Sequence, residues 1–160
     1  MKRATIALLA ILLLLPMAAS AQKSSSGKPA TPKNIKALER KVLGKHFLTL
    51  QWISWEYLGT VKITKASDGT LRCKGEQLSR GDDSHIGDYL KIDGTMRIIS
   101  ALELEFTGTI RTKIWHINNG NEVVREGTFT FLSTQGRRYW RLQQKKNPAD
   151  GCIDYIDISF

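Results

Sequence analysis

Between Leu102 and Ile114 the chain reads LELEFTGTIRTKI, and apolar and polar side chains alternate there with a period of two. Leu102, Leu104, Phe106, Ile110 and Ile114 share one parity, and Glu103, Glu105, Thr107, Arg111 and Lys113 the other. Successive side chains of a strand point to opposite faces, so the segment reads as a strand with one wet face. Wound as a helix it would spread its charges around every side. This alternation restricts the fold more than any other feature of the chain.

The same period recurs from His46 to the last residue. HFLTLQWIS places Leu48, Leu50 and Trp52 on one face, and YLGTVKIT alternates Val61 and Ile63 with Thr60, Lys62 and Thr64. TLRCKG returns with Leu71 and Cys73 inward. DYLKI, TMRIIS, EVVREGTFTFL, RRYWRLQQ and CIDYIDISF follow as further strands. Turn signals separate them: Asp68-Gly69, Asp93-Gly94, the NNGN stretch Asn118–Asn121, and Gln135-Gly136. Eight or nine antiparallel strands result. An open meander of that length would leave two exposed edges, so the expected fold is all-β, an up-and-down barrel spanning residues 45–160. Before it, residues 34–44 predict a short helix: Asn34 can cap it, Ile35, Leu38 and Val42 recur at helical spacing, and Gly44 ends it.

The first 21 residues read as a signal peptide. Lys2 and Arg3 precede an apolar run from Ala4 to Leu15, and Ala19-Ser20-Ala21 supplies a small-residue cleavage site before Gln22. The run is too short for a membrane span, which takes about 20 apolar residues. The protein is therefore expected to be exported, periplasmic or extracellular, with no membrane span. Residues 22–33 form a basic, Ser- and Pro-containing leader. The stretch 22–45 carries seven Lys and Arg against Glu39 alone, whereas 46–160 carries fifteen basic and fourteen acidic side chains. Since the surplus of the +9 formal charge lies in the leader and not in the fold, a nucleic-acid-binding domain is not expected. The cationic run GRRYWRLQQKK splits by parity into a strand: Trp140 and Leu142 turn to the core, and Arg137, Tyr139 and Arg141 form an outward ladder.

Cys73 and Cys152 are the chain's two cysteines, and in an exported protein they are expected to form a disulfide. No metal and no cofactor are expected: His46, His85 and His116 stand in separate segments, and no phosphate loop, Gly-x-Ser-x-Gly or His-Glu-x-x-His is present. The longest polar loop, Ser79–Asp88, contains Arg80, Gly81, Asp82 and Asp83, and its Arg-Gly-Asp tripeptide resembles integrin ligands. Asp154 shares the parity of Ile156 and Ile158, so it is expected inside, where a carboxylate needs a partner; Arg97 and the indoles of Trp52 and Trp55 are the candidates.

The segment EFTGTI…NNGNEV, Phe106 to Val123, resembles the avidin pattern of Phe-Thr-Gly strand, Asn-Gly turn and Glu-Val, and the whole layout resembles the calycin-type (lipocalin-like and avidin-like) small barrels. The tryptophan that packs on biotin in the next avidin strand has no counterpart in REGTFTFL, so the resemblance carries no biotin site. The closing segment GRRYWRLQ…NPADGCIDYIDISF resembles that of a bacterial family of exported proteins, which implies an autonomous exported barrel and no particular chemistry.

These observations predict a non-enzymatic binding protein. Its barrel would hold a small apolar or amphipathic ligand against Trp52, Val61, Phe106, Phe129, Trp140 and Asp154, or it would present loops to an extracellular or periplasmic protein. The alternatives are a surface factor, a protease inhibitor or adhesin acting through residues 79–88, and a hydrolase using a carboxylate pair.

Overall fold

The computed structural model describes residues 32–80, 85–134 and 136–159. The expected signal peptide, residues 22–31 of the leader, and Gly81, Asp82 and Asp83 of the polar loop lie outside the described residues. One helix, α1 (Pro32–Val42), precedes eight strands: β1 (Gly44–Leu50), β2 (Gly59–Lys65), β3 (Leu71–Leu78), β4 (Tyr89–Ile98), β5 (Glu103–Lys113), β6 (Val123–Leu132), β7 (Tyr139–Leu142) and β8 (Ile156–Ser159). Every strand pairs antiparallel with its sequence neighbours, and β1 also pairs β8 through Leu48 opposite Ile158, so the barrel closes. Closure removes the unpaired edges that the meander would otherwise expose.

The alternation sets the inside. Leu48, Leu50, Val61, Ile63, Leu104 and Phe106 are essentially inaccessible to water, as are Phe131, Trp140 and Ile158. Surface that a water-sized sphere cannot reach borders no water-sized void, so these side chains fill the barrel, as an eight-stranded wall allows. Pro32 opens α1 with φ already set for a helix. Val42 is buried in the barrel core, with Leu38 and Leu43 packed against it, so the helix covers the end where β1 begins. Gly44, at φ +120°, ends it. The His46 ring donates from Nε2 to the Val42 carbonyl (2.7 Å), and Lys65 meets Glu39 at 2.9 Å.

Asp68-Gly69 turns β2 into β3, with the Asp68 carboxylate accepting the Thr70 amide at 2.8 Å. Asp93-Gly94 does not turn the chain. It lies in the middle of β4, with Gly94 opposite Cys73 on one side and Gly108 on the other. A methyl group on Gly94 would stand 2.3 Å from the Thr107 carbonyl oxygen and 2.9 Å from the Phe106 ring. The glycine serves close approach, and what read as two strands is one. Gly108 is opposite Gly127 in turn, and the inward pair Gly94 and Gly108 makes room for the Phe106 ring, which would stand 2.9 Å from a methyl group on either. Trp52 lies beyond the end of β1, and β8 begins only at Ile156, so both flanking segments are loop.

The outward ladder on β7 stands as expected. Arg137 and Arg141 flank the Tyr139 ring at 5.4 and 4.9 Å, and Arg141 lies 4.4 Å from Tyr155. Arg141 also grips Asp157 with two hydrogen bonds of 2.7 Å. The seam between β6 and β7 has only two residue pairs. Beyond it, side chains complete the wall: the Thr130 amide donates to the Gln144 side-chain oxygen (3.0 Å), and Arg125 donates to the Gln144 carbonyl (3.1 Å).

Candidate functional site

An up-and-down barrel gathers alternate connections at one end. Here those are the segments 51–58, 79–88, 114–122 and 143–155, opposite the end covered by α1. Two side-chain clusters, one buried and polar and one aromatic and partly exposed, hold these loops in place.

The first centres on Asp154, whose side chain is 1% exposed. The Trp52 indole N–H donates to Oδ1 at 3.0 Å, the Asn147 amide donates to Oδ2 at 3.0 Å, and the Cys152 thiol points at Oδ1 from 3.7 Å. Arg125, on β6 and 7% exposed, supplies the countercharge at 3.4 Å from Oδ2. Burial pulls the Arg125 guanidinium below its ordinary pKa, and the Asp154 charge pulls it back up. Arg125 Nε and Nη2 are buried without a hydrogen bond among the described residues. The sequence had placed Asp154 inside and named Trp52 as a donor. Arg97 is not its partner: it points outward and forks onto Glu105 at 2.8–2.9 Å. Arg125 was missed, although it shares the inward parity of Phe129 and Phe131.

The second cluster is aromatic. His85 stacks on Trp115 at 4.3 Å, and the His116 ring stands edge-on to both Trp115 (5.1 Å) and Trp52 (5.4 Å). Asp88 accepts the Trp115 amide at 2.9 Å through Oδ1, while its buried Oδ2 has no hydrogen bond among the described residues. Burial raises the Asp88 pKa; the Trp115 hydrogen bond and the nearby His85, His116 and Lys113 work against the rise. Gln77, fully buried, accepts the Leu50 amide at 2.7 Å and donates to the carbonyls of Ser54 and Tyr57. Gln51 ties the first loop to the last by donating to the Ile153 carbonyl and accepting the Tyr155 amide, each at 2.6 Å.

Onto this framework the loops put apolar side chains outward. Ile86 is 75% exposed, Trp55 61% and Trp115 54%, and Leu78, Val124, Ile153 and Tyr155 stand out beside them. Seven of the nine large apolar residues exposed among the described residues belong to this end. Exposed apolar side chains concentrated at one end in this way mark a place of contact. The alternation rule that finds a strand's buried face has nothing to say about loops, so the rim was not legible in the sequence.

The other expected site residues separate. Val61, Phe106, Phe129 and Trp140 are core residues along the barrel interior, apart from Trp52 and Asp154 at the loop end. Arg80 lies over the Tyr57 ring at 4.7 Å. The expected disulfide does not form: Cys73 and Cys152 are free. Cys73 faces inward on β3, five residues before its loop end, which is roughly 15 Å of strand. Cys152 sits in the loop beside Asp154, and Cα atoms further apart than about 7 Å cannot be bridged. Burial pushes both thiols up to about 12, helped at Cys152 by Asp150 and at Cys73 by Asp93. Neither supplies a thiolate nucleophile at neutral pH.

Residues 25–160 match the PM1083 family. The chain belongs to that family. The Uncharacterized protein PM1083 of Pasteurella multocida (strain Pm70) is 40% identical over 130 residues, which covers 81% of this chain and 80% of that protein. No solved structure matches. The PM1083 family match takes in α1, the whole barrel and all four loops of the rim, so the rim belongs to the family domain.

Proposed function

We propose that this chain is an exported, non-enzymatic binding protein that meets a protein partner through the aromatic-rimmed loop end of a calycin-like barrel. The observation that carries the reading is the concentration of exposed Trp55, Ile86 and Trp115 at one end, over loops already fixed by Asp154, Gln77, Gln51 and Asp88. Preorganised aromatic anchors are what make a protein interface strong, because little conformational freedom is lost when they are buried. A filled interior at Val61, Phe106 and Trp140 favours this use of the loops over storage of a small apolar ligand. The eight-stranded up-and-down order supports the calycin-like description.

A photoreactive amino acid placed at Trp115 in the native host should give a discrete cross-linked species, and one at outward-facing Thr109 should give none. Substituting Trp55 and Ile86 by Ser should remove the adduct. Equal cross-linking from both positions would count against the rim. Export is tested separately by the mass of the mature chain, which should begin at Gln22; an intact Met1 chain retained in the cytoplasm would refute it.

A further inference from the structure

The register of β1 to β5 assembles a feature that the near-neutral charge of residues 46–160 conceals. On the outer wall, Lys45 lies opposite Lys62, Lys62 opposite Lys74, and Lys91 opposite Arg111. Like charges directly across a strand pair destabilise a sheet, and here three such pairs surround one concavity. The cavity measures about 620 Å³ and has Gly75 and Ile92 in its lining. Gly75 lines it with backbone alone, since a methyl group there would point inward, within 2.6 Å of buried Val61. A second cavity of about 360 Å³ shares its Thr60 and Glu76 walls and extends the groove toward Tyr57 and Arg80.

Lys74 is met by Asp93 at 2.9 Å and Arg111 by Glu122 at 2.9 Å. Lys45, Lys62 and Lys91 make no salt bridge among the described residues. A local rule broken repeatedly around a cavity is what a functional site looks like, since a ligand can offset the repulsion. We infer that the outer-wall groove of β1–β5 binds an anionic glycan, a sugar chain carrying carboxylate or sulfate groups. Its charges would sit among Lys45, Lys62 and Lys91, and its hydroxyls would donate to Glu76 and Asp93. Those two carboxylates call for hydroxyl donors, which a sugar chain presents beside its charges and a DNA backbone does not. No aromatic ring lines the main cavity, whereas single-stranded nucleic acids are gripped by stacking on successive rings. The main cavity shares no residue with Trp55, Ile86 and Trp115 of the rim, so either proposal stands without the other.

The test titrates the full mature chain with polygalacturonate, dextran sulfate, uncharged dextran and a single-stranded DNA oligonucleotide. The groove variant is Lys62→Gln with Lys91→Gln, which keeps the aliphatic stems. The charge-matched control is Arg138→Gln with Lys146→Gln, and both variants retain the basic leader. The groove variant should bind the anionic glycans about tenfold more weakly, and the control should match the native chain. Preference for polygalacturonate would identify carboxylate as the anion read, and preference for dextran sulfate would identify sulfate. Equal losses in the two variants, no binding by the native chain, equal binding of uncharged dextran, or tighter binding of DNA would each overturn the proposal. Without ligand, Lys62→Gln should raise the melting temperature by relieving Lys45 and Lys74. A fall would mean the charges serve the wall itself and would equally overturn it.

Discussion

Asp154 and Arg125 are each nearly dry, and neither is tolerable there alone. Asp154→Ala would strand a buried guanidinium and should cost about 3–5 kcal/mol by urea denaturation. Combining it with Arg125→Met should recover most of that loss, because an apolar side chain of similar length replaces both charges. Asp88 gives a pH-dependent prediction. Its pKa is raised above 3.8 by burial, so the folded state holds its proton more tightly than the unfolded one. Its contribution therefore falls as pH rises from 3.8 through the raised value. Relative to the native chain, Asp88→Asn should gain stability across that window, read as a difference in urea midpoints at successive pH values; a difference independent of pH would refute the assignment. Both thiols should titrate after denaturation without reductant, since Cys73 and Cys152 are free. At this scale the sequence reached Asp154 and its Trp52 donor, because parity and proximity to a strand end were both visible. Arg125's inward parity was visible too, but its partner lies in the loop beyond the next strand, and only the folding of that loop back onto β6 brings them together.

Strands and turns were legible wherever side-chain chemistry and backbone demand agreed. Asp68-Gly69 is such a place, since Gly69 adopts φ +86° and Asp68 caps the turn. Asp93-Gly94 has the same letters and a different reason. Gly94 and Gly108 face each other across β4 and β5 with no room for a Cβ, and Phe106 lies against both. Gly108→Ala would push a methyl group to 2.3 Å from the Asp93 carbonyl oxygen. The obstacle is backbone, so it cannot rotate away, and the substitution should cost about 1–3 kcal/mol, read as a lower melting temperature. An unchanged melting temperature would show that the two strands can separate there. A dipeptide does not reveal whether its glycine is needed for a turn or for a neighbouring strand, because the neighbour is chosen by the register.

The molecule as a whole has a helix-covered end, a loop end and a wall, and they differ in chemistry. Trp55, Ile86 and Trp115 project into water, so polar substitutions there should leave stability within about 0.5 kcal/mol while abolishing partner contact. A large loss of stability would reassign the rim to packing. The sequence by itself determined the period of two, the parity of nearly every core residue, the outward Arg137-Tyr139-Arg141 ladder and the short helix before the first strand. Those follow from local rules: a side chain's face depends on its neighbours in the chain. Tertiary structure alone decided that Cys73 and Cys152 stand apart, that Arg125 meets Asp154, that four loops share an apolar rim, and that Lys45, Lys62 and Lys74 line up across three strands. Each depends on which strands become neighbours and in what register, and that is fixed by closing the sheet on itself.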